Sequence, residues 1–195
     1  MSVQGALDVA ALAARHLERL RIPYVIVGSV ASSIHGEPRA TLDVDLTLRM
    51  DPGDVAALCS ALAPEFHVDP SAVRESVRTG LPSNAIHRST HVKLDLYVLR
   101  NEGIQAEELR RAQRVCLTGV EGSEANVASP EDTVLQKLLW YRKGGEVSDR
   151  QWRDVLGVLK ARSSDLERTY LDEWAPRLGV LDLLRRAERE AGLTR

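Results

Sequence analysis

A chain of 195 residues with 44% apolar and 28% charged residues has the make-up of an ordinary globular protein, long enough for one substantial core or for a core plus a small helical subdomain. A formal charge of −2 supplies no argument for a nucleic-acid partner, and with one Phe, three Trp and four Tyr there is no aromatic-rich basic face for single strands, so Leu, Val and Ala must fill the core. Cys59 and Cys116 fit neither a disulfide framework nor a zinc spacing and read as small buried hydrophobes.

Residues 5–20 are amphipathic and interrupted by Asp8, Arg15, Glu18 and Arg19. They predict a surface helix, not a signal peptide or membrane span, and hence a cytoplasmic protein with no membrane partner. Ile22-Pro23 ends the helix and hands over to a strand, Tyr24 to Val27. A short helix over 29–35 and a strand over 41–48 follow, with Thr41 ordering the turn through its hydroxyl. Asp51-Pro52-Gly53 turns the chain into a helix over 54–63. A short strand at 66–68, a short helix at 71–78 and strands at 84–87 and 91–99 complete this part. Past Arg100 the pattern changes to a charged helix over 106–114 and short strands at 115–117 and 125–128. Ser129-Pro130-Glu131-Asp132 is a capped helix start, with acids in the first turn, for a helix that runs to about Lys143. A second capped helix spans about 149–161, and two more fill 165–191. The expected class is α+β: a small mixed β-sheet flanked by helices over residues 1–128, then a helical C-terminal part over 129–195.

The chemistry concentrates in residues 24–48, YVIVGSVASSIHGEPRATLDVDLTL. Asp43 and Asp45 lie one residue apart on a strand, so both face the same side while Val44 and Leu46 face the other. Like charges that close repel unless a cation sits between them. Asp95, flanked by Leu94 and Leu96 in the run HVKLDLYVL, would be costly to bury unpaired. Metal binding explains these three acids better than solvated strand ends do, and oxygen-only donors suit Mg2+, which takes its remaining ligands from water and substrate phosphates. Gly28-Ser29 closes the first strand and opens a helix. Gly28 permits close approach of a ligand to the backbone, the helix start presents amides to an anion, and the Ser29 hydroxyl can donate to a phosphate oxygen. Arg39 fits two roles equally, a phosphate contact or a charge-balancing partner for carboxylates. His35 reads as a cap or packing residue, and Trp140 and Tyr141 as core residues of their helix rather than a platform for a base.

Gly28-Ser29, a short helix, the Asp43-Val44-Asp45 pair and the later strand acid Asp95 resemble the polymerase-beta-like nucleotidyltransferase superfamily. The stretch HGEPRATLDVD from His35 to Asp45 resembles its group of AbiEii-type toxins and uncharacterised bacterial proteins. The likeness covers about residues 5–100 and extends to SPEDTVLQKLLWYR, where it implies that Lys137 faces the triphosphate, and to DRQWRDVLGVL, where Asp154 matches an acidic position. Val30-Ala31-Ser32-Ser33 stands where many members carry an arginine-bearing, glycine-containing helix start, which separates this chain from the minimal antitoxin-like type.

The resemblance implies Mg2+-dependent transfer of a nucleoside monophosphate from an NTP, with two ions. Asp43 and Asp45 would hold the ion of the triphosphate. Asp95 would ligate a second ion and help activate an acceptor hydroxyl, while Ser29, the helix amides and Lys137 hold the departing pyrophosphate. The acceptor would be RNA such as tRNA, a protein or a small molecule. The toxin version adds a cognate antitoxin as partner. The alternative is a non-catalytic nucleotide-binding or antitoxin module on the same fold, against which the intact set of acids argues.

Overall fold

Ala6, Val9, Ala10, Ala13, Ala14 and Leu17 recur at three- and four-residue steps and are all buried, so the first helix, α1 (Val3–Arg19), is apolar along one side and polar along the other. In the computed structural model, which describes residues 3–99 and 103–193, the chain continues as β1 (Tyr24–Val27), α2 (Gly28–His35), β2 (Asp43–Leu48), a 3-10 turn (Pro52–Asp54), α3 (Val55–Leu62), β3 (Phe66–Val68) and α4 (Pro70–Thr79). There follow β4 (Ser83–His87), β5 (Lys93–Val98), α5 (Ile104–Arg111), β6 (Gln113–Cys116), β7 (Glu124–Val127), α6 (Pro130–Lys143), α7 (Asp149–Ala161), α8 (Arg168–Arg177) and α9 (Leu181–Glu190). The described residues fall into two compact units. One takes the chain up to Val30 together with Ala40–Ala128, and the other takes Ala31–Arg39 together with the residues from Ser129 onward. No helix among the described residues is long and apolar enough to cross a membrane.

The first unit is built on a seven-stranded mixed sheet in the order β3-β4-β5-β2-β1-β7-β6. The β2–β5 and β1–β7 pairs are parallel and the other neighbours antiparallel. Val44, Leu46 and Leu48 of β2 and Leu94, Leu96 and Val98 of β5 are buried on one face. The intervening residues Asp43, Asp45, Thr47, Lys93, Asp95 and Tyr97 therefore share the opposite face, as strand alternation requires. α1 packs against β1, β2 and β7.

Two local readings change in this first unit. The charged helix expected over 106–114 stops at Arg111, because Ala112 leaves helical geometry (φ −52°, ψ 134°) and Gln113–Cys116 pairs with β7 instead. Sheet pairing outweighs helical propensity there. Cys59 is buried as expected, but Cys116 is exposed, because β6 is an edge strand of the sheet.

The second unit is helical. Ser129 caps α6 as its sequence predicts: its Oγ accepts from the Asp132 amide at 3.1 Å and donates to Asp132 Oδ2 at 2.8 Å, while the Tyr170 hydroxyl donates to Asp132 Oδ1 at 2.6 Å. Leu135, Leu138, Val155, Val158, Leu159, Leu171 and Leu184 fill its core. Tyr141 is buried against Trp152, with ring centroids 5.1 Å apart, but Trp140 is 51% exposed, contrary to the packing expected of it. The two residues are adjacent on one helix, about 100° apart around its axis, and so face different directions. Segment Ala31–Arg39 meets α7 backbone to backbone. A Cβ on Gly36 would lie 2.7 Å from the Val158 nitrogen and 2.8 Å from the Gly157 carbonyl carbon, so only glycine permits this approach.

Candidate active site

β1 delivers the chain to Gly28, whose φ of +64° makes the sharp change from strand to helix. The same residue solves a second constraint. Val27 lies opposite Asp45 in the antiparallel β1–β2 pair, and a Cβ on Gly28 would sit 2.0 Å from Asp45 Oδ2 and 2.8 Å from its Cγ. The absent side chain is thus the space the Asp45 carboxylate uses. Ser29 follows in the first turn of α2, half-buried. Thr41 orders the entry to β2: its Oγ1 accepts from the Asp43 amide at 3.2 Å and donates to the Asp43 carbonyl at 3.1 Å.

The parallel register of β2 and β5 sets Asp43 opposite Lys93, Asp45 opposite Asp95 and Thr47 opposite Tyr97. All three sequence-predicted acids therefore share one face, with Asp45 and Asp95 as direct cross-strand neighbours. Lys93, which the sequence reading passed over, sits among them. Its Nζ lies 2.8 Å from Asp95 Oδ2 and 3.5 Å from Asp43 Oδ1. The hydrogen bond to Asp95 is the main reason its ammonium is held above the usual lysine range, with the charges of Asp95 and Asp43 adding to it against the opposing effect of burial. Further along the same face, burial and then the charges of Asp45 and Asp95 push the Tyr97 phenol up to about 12. The Lys-Leu-Asp-Leu-Tyr alternation carries this arrangement in plain form, since it puts residues 93, 95 and 97 on one face.

The donor chemistry fits a hard divalent ion: carboxylate oxygens only, on one face, beside a helix start. Among the described residues no three His, Cys, Asp or Glu side chains are gathered closely enough to hold a metal ion by themselves. The acids thus share a face without closing the three-carboxylate cage expected of them. This agrees with the habits of Mg2+, which is held by one or two carboxylates and completes its shell from water and phosphate.

Arg39, Lys137 and Asp154 form a separate cluster in the second unit. Arg39 Nε and Nη2 fork the Asp154 carboxylate at 2.9 and 3.0 Å, and Lys137 Nζ donates to Asp154 Oδ2 at 2.6 Å. Burial pushes the Asp154 carboxyl up, but the Arg39 hydrogen bond, the Lys137 charge and the Lys137 hydrogen bond outweigh it and hold the group below its ordinary value. Of the two roles open to Arg39, carboxylate pairing is present in this geometry, with Asp154 as a partner. A separation of 115 residues leaves no local signal for that pair.

No family model matches the chain, and no curated protein matches it. Solved structures do. An antigenic nucleotidyltransferase-like protein from Paracoccidioides brasiliensis aligns with 97% of this chain and 94% of its own, at 21% identity and a TM-score of 0.57. The ANT(2'')-Ia structure in complex with adenylyl-2''-tobramycin aligns with 88% of this chain and 95% of its own, at 13% identity and a TM-score of 0.58. The solution structure of the same antibiotic-resistance factor aligns with 95% of this chain and 99% of its own, at 13% identity and a TM-score of 0.57. The fold of this chain is therefore nucleotidyltransferase-like.

Proposed function

We propose that this chain is a Mg2+-dependent nucleotidyltransferase that moves a nucleoside monophosphate from an NTP to a hydroxyl acceptor. The observation that carries the reading is the shared face of Asp43, Asp45 and Asp95 on two adjoining strands, with the Asp45 carboxylate in the space left by Gly28, within a nucleotidyltransferase-like fold. In this reading Asp43 and Asp45 would hold a Mg2+ ion, which when bound would supply charge neutralisation to the triphosphate and the leaving group. Asp95 takes the proton of the acceptor hydroxyl as its oxygen bonds to the α-phosphorus. The α–β bridging bond breaks and pyrophosphate departs. Ser29 and the first amides of α2 offer donors to phosphate oxygens. Lys137, following the resemblance, contributes to nucleotide binding, with Asp154 and Arg39 holding its ammonium in place.

A small hydroxylated molecule as acceptor is supported by the adenylyl-2''-tobramycin complex of ANT(2'')-Ia. RNA such as tRNA, a protein acceptor and a toxin role with a cognate antitoxin rest on the AbiEii resemblance. The test incubates the full chain and Mg2+ with each α-labelled NTP and three acceptor pools: total tRNA, lysate protein and a panel of hydroxylated small molecules. Label is expected in one pool, falling about a hundredfold or more in Asp45→Asn. Transfer unchanged in both Asp43→Ala and Asp95→Ala sinks the reading. A non-catalytic nucleotide-binding module is the second reading, favoured by the ammonium that already engages Asp43 and Asp95. Nucleotide binding without transfer to any pool is its signature.

A further inference from the structure

The proposed site contains a positive charge of its own. Lys93 stands directly opposite Asp43 in the strand register and two residues before Asp95, on the same face as both. Its ammonium, 2.8 Å from Asp95 Oδ2 and 3.5 Å from Asp43 Oδ1, fills the space that an ion shared by those two carboxylates would need. A divalent ion on Asp95 would sit about 2.1 Å from a carboxylate oxygen, and it cannot share that oxygen with an adjacent ammonium without strong like-charge repulsion. Resting on the nucleotidyltransferase reading, we propose that Lys93 is a resident counter-cation that takes the place of the second divalent ion, so that the site binds a single ion at Asp43 and Asp45.

The tether agrees, because β5 is hydrogen-bonded on both sides, to β2 and β4, and anchors the Lys93 stem next to Asp95. Asp95 then meets the acceptor hydroxyl while paired to an ammonium instead of to a metal ion. The Lys93 side chain is 40% exposed, so replacing it tests charge rather than core packing.

The experiment counts Mn2+ bound per full chain by electron paramagnetic resonance, with melting temperatures measured in EDTA and in Mn2+. Wild type and Lys93→Arg are expected to bind a single ion. Lys93→Met gains a second, with affinity at that position improved about tenfold or more over wild type. It also melts lower than wild type in EDTA and recovers in Mn2+, since its carboxylates have lost their counter-charge. The second ion disappears in the Lys93→Met/Asp95→Asn double variant. Equal stoichiometry and affinity in wild type and Lys93→Met, with binding still abolished by Asp45→Asn, overturns the role of Lys93 and leaves the nucleotidyltransferase reading standing. Two ions on wild type do the same. No Mn2+ on either protein overturns both.

Discussion

Asp154 shows how a single buried carboxylate can organise two cations. Its side chain is 7% exposed, as is that of Lys137, and Arg39 approaches it in the two-pronged geometry that guanidinium and carboxylate share. Removing one partner from a buried ion group leaves the others uncompensated, so Asp154→Asn is expected to lower stability by about 3 kcal/mol. The pH dependence follows from the direction of the shift. The folded carboxyl titrates below its ordinary value of 3.8. Its contribution is therefore complete above about pH 4 and is lost as pH falls through the folded value. Denaturation followed by Trp fluorescence from about pH 6 to about pH 3 should show this acid limb in wild type and a flatter one in Asp154→Asn. Identical limbs in the two proteins would remove Asp154 from the account. The ambiguity of Arg39 in the sequence has a plain cause: which carboxylate meets a guanidinium is a question of long-range contact.

The junction of β1 and α2 concentrates several demands in one position. The chain must turn from strand to helix, the turn places Gly28 at φ +64°, and the cross-strand acid occupies the space of its missing side chain. Gly28→Ala is expected to cost about 1–3 kcal/mol through left-handed backbone strain and displacement of Asp45. Mn2+ binding should fall with it, whereas a purely structural glycine would lower the melting temperature and leave the affinity unchanged. Sequence made this junction legible, since an apolar strand ending in Gly-Ser is a local pattern. The facing strands were half legible. Alternation in DVDLTL and KLDLYV puts the acids on one face of each strand, but their parallel pairing, residue 45 against residue 95, comes from the sheet. The charged segment after Ile104 shows the opposite case, where a helical pattern yields at Ala112 to pairing with β7.

Across the whole molecule the probes of folding are unevenly distributed. Trp140, Trp152 and Trp174 all belong to the second unit, while the seven-stranded sheet belongs to the first. Each unit has its own buried apolar cluster, around Val44, Leu46 and Leu94 in one and around Leu138, Val158 and Leu159 in the other. Guanidinium unfolding is therefore expected to give a Trp-fluorescence transition that does not coincide with the far-UV circular dichroism transition, which reports both units. Superimposable curves would show that the two cores melt as one cooperative body.

Strand and helix character, the capped start of α6 at Ser129 and the shared face of Asp43 and Asp45 were determined by the sequence alone, because each depends on backbone periodicity and neighbours within a few residues. Tertiary structure alone decided that Asp95 lies beside Asp45, that the ammonium of Lys93 bridges Asp43 and Asp95, and that Arg39 and Lys137 converge on Asp154. Apart from Lys93 and Asp95, which are neighbours on one face of β5, those contacts join residues 17 to 115 positions apart, and they exist only once strand order, register and helix packing have brought the elements together.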